Sequence, residues 1–98
     1  MTDLRTAPRL RTALLVVARR GDTTAAELAD AAQIGLSAAR NLLARLRAAG
    51  LVEIAGSVAG KRRPWIVYEA TAEGHREAAR LEVQRWRALA TRPKEIRR

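Results

Sequence analysis

The chain holds 98 residues, and of its 48% apolar residues 21 are alanine, leaving 26 larger ones to build a core. That composition fits one thinly packed domain over 1–98 that gains from self-association; it excludes a membrane span, which needs about 20 apolar residues in a row, and with no cysteine and one histidine it excludes disulfides, thiolate metal centres and a zinc site. Nineteen Lys and Arg against ten Asp and Glu give a net charge of +9, which favours a polyanionic partner, nucleic acid ahead of an anionic membrane surface, over a merely soluble arginine-rich protein.

Residues 1–6 are polar and carry no signal-peptide pattern, so a cytoplasmic location is expected. Thr6 is placed to cap a first helix over 7–20, in which Pro8 sits where its missing N–H costs nothing. Leu10, Ala13, Leu14 and Val17 recur at helical spacing before Gly21 ends the run. Thr24-Ala-Ala-Glu27 is a capping box, in which hydroxyl and carboxylate each satisfy an orphan backbone N–H. It opens a second helix with Leu28, Ala29 and Ala32 inward, closing near Gln33. Ile34-Gly35-Leu36 reads as a turn, and Ser37 as the cap of a third helix with Ala39, Leu43 and Leu46 inward and Gly50 at its end.

After Gly50 the apolar period changes from helical to alternating. Leu51 to Ile54 and Trp65 to Glu69 read as strands, joined by a flexible, basic hairpin tip over 56–64. Thr71 caps a last helix over 71–91, on which His75, Ala79, Val83, Trp86 and Ala90 form one stripe, widened by Ala78, Leu81 and Leu89. Residues 92–98 form a basic tail. The predicted class is α+β and mainly helical: a three-helix core over 7–50, a hairpin over 51–70 and a terminal helix.

This order resembles the winged helix-turn-helix DNA-binding domain. The segments that carry the resemblance, within residues 10–90, are Ala26-Glu-Leu-Ala29, Ser37 through Leu43-Ala-Arg-Leu46, and Ala49-Gly-Leu-Val-Glu53. Tyr68-Glu-Ala-Thr71-Ala-Glu-Gly74 ahead of an amphipathic helix resembles PadR-type regulators, with the MarR type next nearest. The resemblance implies a bacterial, homodimeric, nucleoid-associated transcriptional regulator without a cofactor. Such proteins are commonly repressors bound to a near-palindromic operator in double-stranded DNA.

The third helix is then the recognition helix. Its inward residues turn Ser37, Ala38, Arg40, Asn41 and Ala44 outward, with Arg45 partly so. Arg pairs bidentately with guanine and Asn with adenine, so Arg40 and Asn41 have the chemistry of base readout; solvated surface or phosphate contact is the plainer reading. Arg45 and Arg47 suit phosphates, or a salt bridge with Glu53. Lys61, Arg62 and Arg63 at the hairpin tip suit the DNA backbone or minor groove, against a solvated turn. Gly56-Ser-Val-Ala-Gly60-Lys61 is not a phosphate loop, being one residue short, followed by Arg62, and leading into a strand.

A dimer interface is expected from Leu10, Leu14, Ala79, Val83, Trp86, Leu89 and Ala90. His75 on the inner stripe reads as a packed histidine rather than a pH-sensitive contact. The PadR resemblance makes Trp86 a candidate contact for a small, flat, apolar effector, against a plain interface tryptophan. The carboxylates form no paired constellation, so no catalytic role is expected. Two other readings stand beside the regulator: a winged-helix module for protein or RNA contact, and a nonspecific plasmid- or phage-type DNA-binding protein.

Overall fold

The computed structural model describes residues 7–60, 62 and 64–90. In chain order it has α1 (Pro8–Arg20), β1 (Thr23–Thr24), α2 (Ala25–Ala32), α3 (Leu36–Ala48), β2 (Val52–Val58), β3 (Trp65–Ala70) and α4 (Ala72–Ala90). The strands form one antiparallel sheet in the order β1-β3-β2. This is the winged helix fold.

Local chemistry sets most of these boundaries. Helix α1 starts with Pro8 in its first turn behind Ala7, without a side-chain cap; Thr6, expected as that cap, lies outside the described residues. The capping box is formed: the Glu27 N–H donates to Thr24 Oγ1 at 3.2 Å and the Thr24 N–H donates to Glu27 Oε1 at 2.9 Å. Gln33 closes α2 in the left-handed conformation, φ 56°, so the chain turns sharply into α3. Ser37 does not cap α3; Gly35 holds the N-cap in an extended conformation, and helix starts at Leu36. Gly50, at φ 78°, ends it, a conformation that costs a glycine little.

The core is the meeting of one face from each helix. Leu10, Ala13, Leu14 and Val17 of α1 pack with Leu28 of α2, with Ala39, Leu42, Leu43 and Leu46 of α3, and with Leu51, Val52, Ala78 and Leu81. Each fully buried leucine contributes about 1.5–3 kcal/mol. Leu42 is an inward residue that sequence spacing alone did not assign. Leu10 and Leu14, expected at a dimer contact, have no exposed surface and belong to this core instead.

Two further departures concern the hairpin and the last helix. Strand β2 runs on through Gly56 to Val58, with an irregularity between Ile54 and Gly56, so the hairpin is longer than expected and its tip confined to 59–64. On α4 the buried face is Gly74, Ala78 and Leu81. His75 therefore lies exposed, one helical step away from the contact it was expected to share. From Val83 to Ala90 every residue is exposed. The Cα radius of gyration is 15.4 Å, against about 13 Å for a compact chain of this length. The distal half of α4 is a projecting arm.

Candidate nucleic-acid interface

Helix α3 buries Ala39, Leu42, Leu43 and Leu46, and that fixes what its other face presents. Ser37, Arg40, Asn41, Ala44, Arg45 and Arg47 are exposed, and Ala38 is half-buried. The first turn has no side-chain cap, which leaves its orphan N–H groups in the exposed residues that follow Gly35. Arg40 and Asn41 are adjacent, so two side chains able to make bidentate base contacts leave the helix about 100° apart.

Ion pairs neutralise part of the arginine charge on α1 and α4. Arg19 pairs with Glu82 at 2.9 Å, Arg20 with Glu27 at 3.4 Å and Arg76 with Glu73 at 3.5 Å, while Arg80 pairs with Glu77. These arginines of α1 and α4 thus meet carboxylates. Among the described residues no ion pair engages Arg40, Arg45, Arg47 or Arg62, and the alternative pairing of Arg45 or Arg47 with Glu53 is not formed. Glu53 instead lies opposite Glu69 in the β2–β3 ladder. The outward face of α3 thus carries three arginines without an ion pair among the described residues, while α1 and α4 mix paired arginines with the exposed Arg9 and Arg85.

The hairpin stands beside α3. Val58 lies opposite Trp65, and the Arg40 guanidinium carbon sits 5.8 Å from the centre of the Trp65 ring. That contact joins α3 and the hairpin, and sequence reasoning missed it because only the fold brings the two residues together. Arg62 is exposed at the tip; Lys61 and Arg63 lie outside the described residues, as does the basic tail.

The other expected positions fall away from this face. Ala79, Val83, Trp86, Leu89 and Ala90 lie on α4, and from Val83 onward they are exposed, Trp86 being 68% and Val83 49% accessible. Two surface hollows, of 510 and 300 Å³, lie against α2, the turn after it and α1, and neither is lined by Trp86. Among the described residues no three His, Asp or Glu cluster as a metal site. No described helix is long and apolar enough to cross a membrane.

Residues 11–63 match the sequence profile of the MarR family, more than half of the chain. No curated protein matches the sequence. Among solved structures, ZitR of Lactococcus lactis, a zinc-responsive MarR family member, is similar with a TM-score of 0.72 and 17% identity, over 92% of this chain and 60% of that one. The reduced form of MarR from E. coli is similar with a TM-score of 0.65 and 24% identity, over 76% of this chain and 53% of that one. A MarR family protein from Bacillus stearothermophilus gives a TM-score of 0.68 and 26% identity, over 87% and 56%. The chain thus spans less than two thirds of each structure. Of the two regulator types named from the sequence, the match is to the one placed second. The residues that suggested the PadR type, Tyr68 to Gly74, lie beyond the matched segment.

Proposed function

The chain belongs to the MarR family, and from that premise we propose that it is a sequence-specific regulator of transcription, a homodimeric repressor that binds a near-palindromic operator in double-stranded DNA. The observation that carries this reading is the exposed face of α3, with Arg40 and Asn41 side by side and no carboxylate neutralising its arginines. An acidic or apolar face there would have favoured a protein partner.

In this reading α3 lies in the major groove. Arg40 donates two bonds to a guanine edge, and Asn41 exchanges two with an adenine. Ala38 and Ala44 let the backbone approach, with Ala44 free to touch a thymine methyl. Ser37, Arg45 and Arg47 contact phosphates and fix the register. Two such helices about a two-fold axis enter successive major grooves, roughly 34 Å apart. The dimer is held by the exposed stripe of α4, and the protein works in the cytoplasm on the nucleoid. An apolar effector, if one acts, would meet Trp86 on that stripe. The reading assigns no catalysis and no cofactor.

Selection of bound sequences from a random duplex pool tests the proposal directly. A two-fold symmetric motif is expected; recovery without any preferred sequence would leave a nonspecific DNA-binding protein. Against the selected motif, Arg40→Ala and Asn41→Ala should each cost about 1–3 kcal/mol while random DNA binds as before. Competition titrations measure this, and an unchanged ratio of specific to nonspecific affinity would remove the two residues from base readout.

The hairpin tip supplies affinity. Lys61, Arg62 and Arg63 follow one another in its sequence, and cations there suit phosphates more than fixed base edges. Each neutralised phosphate releases counterions, and log affinity falls with log salt by about 0.9 per contact. Replacing all three by alanine removes up to six contacts from a dimer, so the slope should shrink by roughly two to five units. Titrations at several salt concentrations check it; an unaltered slope would make the tip a solvated turn.

A further inference from the structure

We propose that Trp65 is a positioning residue for base readout: its ring holds the Arg40 guanidinium in the orientation from which it reads guanine. The inference rests on the regulator reading above and deepens it. Arg40 leaves an exposed helix face with no carboxylate partner among the described residues, yet its guanidinium carbon lies 5.8 Å from the centre of the Trp65 ring. Tryptophan is the aromatic side chain that attracts a cation most strongly, and separations within about 6 Å count as contact. The ring itself is anchored. Trp65 is half-buried, opens β3 directly after Pro64, and is held in register opposite Val58.

The chemistry suits a reader rather than a neutralised charge. A carboxylate partner would occupy the N–H donors of the guanidinium fork. A guanidinium that stacks on an aromatic face is engaged through its flat side, which leaves its in-plane donors free for guanine O6 and N7. An unsupported arginine loses its rotamer freedom when it docks. One already leaning on a fixed ring loses less, so the contact lowers the cost of the specific complex. Random DNA, met mainly through phosphates, gains little from that orientation. The hairpin then has two separate roles: the tip cations add affinity, and the ring at the start of β3 sharpens reading without touching a base.

The test pairs Trp65→Leu, which keeps apolar bulk but removes the aromatic face, with Trp65→Phe, which keeps a face. Both are measured on the full chain, against the motif selected from the random pool and against random duplex at one salt concentration. Trp65→Leu should lower the specific-to-nonspecific ratio roughly two- to fivefold, and Trp65→Phe should restore part of it. In an Arg40→Ala background Trp65→Leu should have no further effect. In the free protein, the Arg40 side-chain protons should show a ring-current shift that Trp65→Leu abolishes. An unchanged ratio, an equal loss without Arg40, or the absence of that ring-current shift would each overturn the proposal. A pool that yields no preferred sequence would instead defeat the regulator reading on which it rests.

Discussion

Gly74→Ala should destabilise the protein by about 3 kcal/mol, the opposite of what helix propensity alone dictates. Glycine inside a helix is normally a cost, and alanine in its place gains up to about 1 kcal/mol. Here the first turn of α4 lies on the end of the α3–β2 connection. The Thr71 N–H donates to the Leu51 carbonyl at 3.0 Å, the Thr71 hydroxyl donates to the Gly50 carbonyl at 2.7 Å, and the Gly74 N–H donates to Thr71 Oγ1 at 3.0 Å. These bonds draw the helix so close that a Cβ on Gly74 would overlap the Leu51 carbonyl oxygen. It would also stand 2.9 Å from that carbonyl carbon and 3.4 Å from Ala70 Cβ. The obstacle is backbone, so no side-chain rotation relieves it. Either α4 lifts and loses the packing of Ala78 and Leu81, or the Thr71 bonds break. For a domain of this size the loss corresponds to a fall in Tm of about 10–20 °C. Urea unfolding of Gly74→Ala beside Gly56→Ala, whose Cβ would meet open space, isolates the effect. Equal or greater stability of Gly74→Ala would mean that α4 does not sit this close.

That same glycine explains why the sequence misleads on α4. Ala78 and Ala79 are neighbours, and the helix carries small or apolar residues on two adjacent faces, so periodicity alone could not choose between them. Spacing favours the stripe through His75 as the inner one; the packed face is the one that Gly74 allows to approach. A glycine at that spacing from Ala78 and Leu81 was the available signal. Leu10 and Leu14 mislead for a related reason, because the same spacing marks an apolar face whether a partner or the protomer's own core covers it. The capping box of α2 was legible since its four residues determine their own geometry. Strand β1, pairing Thr23 with Tyr68 and Thr24 with Val67, was not, because two residues carry no detectable alternation. The outward residues of α3 were readable from the helix period once three inward residues were found. The Arg40–Trp65 contact depends on topology, and no spacing rule reaches it.

Trp86→Ala should leave the protomer folded and separate the dimer, raising its dissociation constant about a thousandfold. The two effects divide because Trp86 is 68% exposed in the protomer, so little of its own core depends on the ring. Val83 and Leu89, 49% and 44% exposed, lie beside it, and no residue from Val83 to Ala90 is buried within the protomer. A helix end with that much apolar surface in water is poorly supported on its own, since most helical stability in proteins comes from packing an apolar face. In the proposed homodimer a second copy related by a two-fold axis would supply that packing, the same patch serving on both sides. Buried aromatic anchors are worth about 2 kcal/mol or more at such interfaces. Symmetry counts the loss twice, near 4 kcal/mol in all, which is about three decades in dissociation constant. The separated protomer should keep its winged core but lose about two turns of helix as the distal half of α4 frays. Sedimentation over a range of concentrations, with circular dichroism on the same samples, reads both quantities. A monomeric parent at tens of micromolar would refute the dimer. A Trp86→Ala variant that dimerises as tightly as the parent would place the interface elsewhere.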